Sequence, residues 1–312
     1  MKRYLFLFVI IVFVSITCLF WLNNETNAYN DFNKQISVVD FEMKAAVKLT
    51  GATPKIIVKI AIPQDLPNIQ TISDLKYYPN PAKVYINGGT KYAEYLILNP
   101  KSDFNLIVRG RATLYKFDLT KAMANKTNKP YDTDLNLFLK PEKFIESNDP
   151  LIIQTASTIK NMTDVEMVAY IYKYVIDNMH YDKYNPKDVG AKNALLRKQG
   201  DCSEYSDLMV ALCRAKNIPA RVVTGYTSYT YSAIDTPKHA WVEAYLKGIG
   251  WVPFDPTLGD ENIAAFNNLE PKYIYLSNKR NDPLLDYYYY MSYKYWGAPI
   301  KFDDLFTAKI LK

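Results

Sequence analysis

Residues 199–226, QGDCSEYSDLMVALCRAKNIPARVVTGY, contain the change of hydrophobic period on which the fold turns. Up to Ala215, the apolar residues Tyr205, Leu208, Met209, Leu212 and Ala215 recur at three and four, one face of a helix. From Ala220 the period drops to two, as in a strand. Asp201 is placed to N-cap the helix, and Glu204 three residues on closes a box-like arrangement. Asn217 tolerates the left-handed geometry of a helix end, and Pro219 prevents continuation. This reading sets Cys202 at N1 of a buried helix of about four turns. There the positive end of the helix macrodipole and unpaired N–H groups favour a thiolate over a thiol.

Downstream, HAWVEAYL (239–246) alternates, and GWVPFDPT (250–257) follows the turn formers of LKGIG. His239, Trp241, Glu243 and Tyr245 then share one face of a strand, and Ala240, Val242, Ala244 and Leu246 the other. A hairpin turning around Lys247 and Gly248 sets His239 opposite Asp255, with Cβ atoms roughly 4.5–5.5 Å apart. The carboxylate accepts a hydrogen bond from one imidazole nitrogen and aims the other at a third group. The third group is Cys202, which gives Cys, His and Asp in chain order. The other histidine, His180, follows the helical stretch 163–179 with no acidic partner nearby and reads as a surface residue.

Working outward, Thr163 and Glu166 form a capping box ahead of a stretch whose apolar residues recur at three and four. Asp149-Pro150 supplies a cap and an N1 proline for an earlier helix. A shorter helix is expected over 191–198, broken by Gly200. Before these, residues 36–119 show five or more strand-like runs, among them ISVVDFEMKAAVKL, KIIVKIAIP, AKVYING, KYAEYLIL and FNLIVRGRATLYKFDL, separated by turn formers. The tyrosines of DYYYYMSYKYWG (286–297) read as sheet faces and rims.

The expected fold class is α+β, with an all-β sandwich-like domain ahead of a core whose Cys-bearing helix packs on an antiparallel sheet. The divisions are 1–28, a signal peptide or membrane anchor; 29–120, the sandwich-like domain; 121–148, a connector; and 149–312, the catalytic core. The first division rests on Lys2 and Arg3 followed by an almost uninterrupted apolar run from Tyr4 to Leu22. That is near the roughly 20 residues that span a bilayer, so the remainder is expected to be exported, either secreted or held at the outer face of the membrane.

The chain has 312 residues, 49% hydrophobic and 22% charged, which excludes disorder and a multi-span membrane protein. A net charge of +6 with no dense basic stripe gives no reason to expect nucleic acid. Membrane contact is expected only through the N-terminal segment. Besides Cys18 in that segment, the cysteines are Cys202 and Cys213. On one helix they lie roughly 16 Å apart, beyond the about 7 Å that a disulfide spans.

The Gly-x-Cys block, the helix, the Ile-Pro-Ala-Arg turn, the His-Ala-Trp strand and the Asp-Pro element, in this order, closely resemble the transglutaminase-like superfamily, which has a papain-like core. The resemblance is strong over about 150–260. It implies Cys202 as nucleophile, His239 as general base and then acid, and Asp255 as the orienting carboxylate. The implied chemistry is acyl transfer or hydrolysis at amide bonds through a thioester, on a protein or peptide substrate such as cell-wall peptide. No cofactor and no metal are expected. Animal cross-linking members carry Gly-Gln-Cys-Trp where this chain has Gly200-Asp201-Cys202-Ser203, and no D-x-D-x-D-G loop is present. The resemblance therefore extends to neither calcium dependence nor cross-linking. A non-catalytic cell-surface or cell-wall binding module is the alternative, and a mixed disulfide through Cys202 a weaker one.

Overall fold

The computed structural model describes residues 36–126, 135–160, 162–182, 187–227, 234–235 and 238–311. The expected leader or anchor lies outside them. Among the described residues no helix is long and apolar enough to cross a membrane.

The N-terminal strands, joined by strands from the later part of the chain, form two antiparallel sheets. One runs in the order Ile234–Asp235, Ile300–Ile310, Ile36–Leu49, Phe104–Tyr115, Gln70–Tyr78. The other runs Met291–Trp296, Lys55–Ile62, Thr90–Leu98, Lys83–Asn87. Strict alternation buries Val39, Phe41, Met43, Ala45 and Val47 on one face of the Ile36–Leu49 strand. These side chains share a core with Ile56, Val58 and Ile60 of the other sheet, which makes the pair a sandwich.

Two features depart from the sequence reading. The strand Gln70–Tyr78 is additional: its ladder with Phe104–Tyr115 is interrupted between Ser73 and Lys76, and Asp74 is left-handed (φ 54°). The bulge breaks the two-residue period that would have marked the strand. The second departure concerns the division at 149. Met291–Trp296 pairs with Lys55–Ile62, and Ile300–Ile310 pairs with Ile36–Leu49 along eleven positions from Val39↔Ile310 to Leu49↔Ile300. The end of the chain thus belongs to the sandwich, because Phe306, Ala308 and Ile310 bury an alternating face there.

The second core packs helices Pro150–Ser157, Asp164–Asn178, Gly190–Arg197 and Cys202–Ala215 with the sheet Gly250–Phe254, Lys238–Leu246, Ala220–Thr227, Tyr273–Ser277. Both capping boxes form, Thr163 with Glu166 and Asp201 with Glu204. The helix Gly190–Arg197 is ended by Lys198, left-handed at φ 54°, and not by Gly200. Gly200 instead pairs with Tyr181 in a two-residue parallel bridge. The intended connector holds a short helix, Leu119–Ala124, capped by Asp118, and a 3-10 turn, Leu135–Leu139.

Candidate active site

The Cys202–Ala215 helix is the central element of the second core. Every residue from Ser203 to Arg214 is buried, so its polar side chains need partners inside the protein. At its start, Asp201 Oδ1 accepts from Ser203 N at 2.8 Å. Glu204 Oε2 accepts from Asp201 N and Oε1 from Val189 N, both at 3.1 Å. Burial, with Asp201 beside it, pushes the Glu204 carboxyl up to about 7. A Cβ on Gly200 would lie 2.3 Å from Glu204 Cβ, so the residue two before Cys202 has no room for a side chain.

Further along, Asp207 is fully buried and receives a two-pronged contact from Arg280, Nε at 2.8 Å and Nη2 at 3.0 Å. Arg280 also reaches Asp188 at 3.1 Å. Tyr289 donates to Asp188 and sits 2.8 Å from Ser203 Oγ. The 280–289 segment is thereby fastened to the same helix end that carries Cys202. Asn217 takes the left-handed conformation (φ 58°) just after the C-cap Lys216.

His239 lies on the strand next to Ala220–Thr227, where it pairs with Gly225. The register of the hairpin differs from the expected one. Leu246 pairs with Gly250 and Val242 with Phe254, a shift of two residues that makes His239 and Asp255 diagonal instead of opposite. An even shift keeps both on one face, so the contact survives. His239 Nε2 lies 2.7 Å from Asp255 Oδ2. Beyond Phe254 the chain leaves the sheet, and Asp255 N-caps the helix Pro256–Asp260, its Oδ1 accepting from Leu258 N at 3.0 Å.

Burial opposes charge on the imidazole, but Asp255, with help from a hydrogen bond to Cys202, overrides it and brings His239 up to about 10. For Asp255 burial likewise works against the charged form, and His239, Leu258 N–H and Tyr273 together hold the carboxyl below its usual range. The sequence-derived residues Cys202, His239 and Asp255 are thus brought together, with His239 Nε2 on the carboxylate and the imidazole also hydrogen-bonded to Cys202. Cys213, on the same helix, is fully buried and free, and burial pushes its thiol up to about 12. His180 is exposed in the short bridge beside Gln199.

Sequence reasoning missed Tyr273, whose hydroxyl donates to Asp255 Oδ2 at 2.7 Å. The alternating run Tyr273-Ile274-Tyr275-Leu276 is a strand signal that would have placed it. Trp241 lies beside the imidazole, ring centroids 6.0 Å apart and planes 22° from parallel, and meets Tyr273 edge-on at 5.2 Å. Arg221 is elsewhere: it pairs with the buried Glu243 and lies 4.0 Å over the Trp251 ring. Among the described residues, no group of three or more His, Cys, Asp and Glu residues is placed to hold a metal ion.

A thiol at the start of a buried helix, facing a histidine on an adjacent sheet, defines the architecture of papain-like, thiol-dependent enzymes. Residues 153–256 match the Transglutaminase-like superfamily, and the chain carries a core of that superfamily. Uncharacterized protein YebA of Bacillus subtilis is 31% identical over 186 residues, 54% of this chain and 25% of that protein. Protein-glutamine gamma-glutamyltransferase of Pseudomonas aeruginosa is 36% identical over 67 residues, 19% of this chain and 10% of that protein. The chain therefore spans a quarter or less of the length of these curated relatives. A solved structure from Cytophaga hutchinsonii, described as a candidate cysteine protease, superposes with a TM-score of 0.60 at 16% identity. The match covers 89% of this chain and 99% of that one, a likeness of fold that includes the strand-rich region.

Proposed function

We propose that the protein is a thiol-dependent acyltransferase or hydrolase of amide bonds, acting through Cys202, His239 and Asp255. The observation that carries this reading is the 2.7 Å contact between the buried Asp255 Oδ2 and His239 Nε2, with Cys202 within hydrogen-bonding reach of the same imidazole. Cys202 Sγ attacks the amide carbonyl carbon as a thiolate, and the oxyanion forms beside the helix start, where the Cys202 N–H is its donor. As the C–N bond breaks, His239 gives its proton to the departing amine. A second amine or water then attacks the thioester carbonyl, His239 takes its proton, and the C–S bond breaks to release the product and return Cys202 as a thiolate. The likeness to a protein named for glutamine transfer supports amine as the second reactant, and the likeness to a candidate protease supports water. The substrate in this reading is a protein or peptide, cell-wall peptide included. The apolar run from Tyr4 to Leu22 supports export, secreted or anchored.

The test is mass spectrometry of a glutamine-containing peptide library incubated with the full chain and a tagged primary amine. Amine adducts identify transfer, and ammonia loss or chain cleavage identifies hydrolysis. Both must vanish in Cys202→Ala. No product from the wild-type chain, or the same products from Cys202→Ala, would overturn the proposal in favour of a binding module.

A further inference from the structure

We propose that Tyr273 is a positioning residue for this site: its hydroxyl fixes the carboxylate of Asp255 so that His239 is held in line with Cys202. The inference rests on the reading of the triad given above. A carboxylate touched only by an imidazole remains free to rotate about its Cβ–Cγ bond, and the imidazole with it. Here both oxygens are engaged. Oδ1 accepts from Leu258 N, and Oδ2 accepts from His239 Nε2 and Tyr273 Oη together, each at 2.7 Å. The backbone oxygen of Asp255 receives a further contact from Tyr172 Oη at 3.2 Å.

The surroundings of Tyr273 make a hydroxyl there a specific choice. Its ring lies in a small apolar cluster with Val223, Trp241, Leu258, Leu269 and Tyr275. A phenylalanine would suit such a cluster, and a buried hydroxyl is costly unless it is bonded. Tyr273 spends its hydroxyl on the one carboxylate that faces His239. The ring cannot drift, because its strand is pressed against Ala220–Thr227. Thr227 pairs with Tyr273, and at Gly225 a Cβ would stand 2.0 Å from the Ile274 carbonyl oxygen.

Two donors on one oxygen also divide its charge. The titratable groups facing His239 are Cys202 from the helix, Asp255 from the strand end and Tyr273 from the neighbouring strand. Lys238, next in sequence, turns away to Asp304. Removing the Tyr273 hydroxyl leaves the whole of Oδ2 to the imidazolium, which then holds its proton to higher pH, while the carboxylate gains rotational freedom.

The chain has only two histidines, so a histidine NMR titration of the full chain resolves His239 against the exposed His180. With 13Cε1-histidine label, Tyr273→Phe is expected to move the His239 midpoint up by about 0.5 to 1 pH unit, the order of one net hydrogen bond. Turnover of the glutamine peptide with the tagged amine falls about tenfold in kcat, with KM within twofold. Replacing Tyr273 by 4-aminophenylalanine keeps the ring and its shape with a weaker donor that stays neutral across this range; it should move the midpoint up by less than Tyr273→Phe, and it decides the matter if Tyr273→Phe does not fold. A His239 midpoint unmoved in either variant overturns the proposal. That failure is separable from failure of the triad. If Cys202→Ala and His239→Ala abolish turnover while the Tyr273 variants leave titration and kcat alone, only Tyr273 is misassigned. If Cys202→Ala retains turnover, the triad falls, and the NMR titration still reads the Tyr273–Asp255–His239 link.

Discussion

Replacing Asp255 by Asn changes one atom and removes the charge on which His239 depends. In the wild type His239 is brought from 6.5 up to about 10, against the burial that alone would lower it. A group with a raised folded-state value contributes stability fully below 6.5, and loses that contribution as pH rises towards 10. Asp255, held below its ordinary 3.8, contributes above that value and loses the contribution as pH falls. The pair therefore stabilises the fold most between about pH 4 and 6.5. The His239 displacement alone corresponds to roughly 5 kcal/mol at about 1.4 kcal/mol per pH unit. In Asp255→Asn the amide oxygen retains the Leu258 or Tyr273 contact, and His239 escapes part of the penalty by going neutral. The expected loss is on the order of 3 kcal/mol near pH 5.5. Urea unfolding of wild type and variant at pH 5.5, 8 and 10 measures it. The gap in stability should be widest at pH 5.5, narrower at pH 8 and below about 1 kcal/mol at pH 10. A gap independent of pH would mean that Asp255 acts through shape alone, and would refute the account of His239.

Arg280→Met should cost about 3–5 kcal/mol by leaving the fully buried Asp207 without its two-pronged partner. In thermal melts, adding Asp207→Asn should recover part of the loss, and a purely additive result would contradict the pairing. Gly200→Ala forces a Cβ to within 2.3 Å of Glu204 Cβ, opening the capping box. We expect a loss of roughly 1–3 kcal/mol and slower alkylation of Cys202 by iodoacetamide. In the native chain at pH 8, peptide mapping should find Cys202 alkylated and Cys213 unmodified until the protein unfolds, because Cys213 is buried and its thiol is pushed up to about 12.

The parts of the site that were legible in the sequence are those set by local rules. Asp201, Cys202 and Glu204 occupy the Ncap, N1 and N3 positions, and a cap is written within four residues. The pairing of His239 with Asp255 was legible in face and not in register. The period of a strand fixes which side a residue takes, whereas the hairpin's turn fixes its opposite number. Leu246 and Gly250 flank a three-residue loop, and this moved the register by two. Tyr273, Arg280 and Tyr289 were not legible as site neighbours. They reach the Cys202 helix or Asp255 from later in the chain, through packing that no short-range pattern records. For the same reason the last two strands were assigned to the wrong core.

Those two strands give the molecule an order of assembly. The sandwich begins at Ile36, yet the Ile36–Leu49 strand pairs on one side with Ile300–Ile310, some 260 residues later. A chain emerging from its N-terminus reaches the thiol core before it can close the first domain, so until the end arrives two sandwich strands offer unpaired edges. Such long-range closure makes folding slow and exposes intermediates to aggregation. It also couples the two halves. The strand Ile300–Ile310 that closes the sandwich pairs with Ile234–Asp235 and, through Asp304, holds Lys238 on the strand that carries His239, so the sandwich and the histidine strand are fastened together.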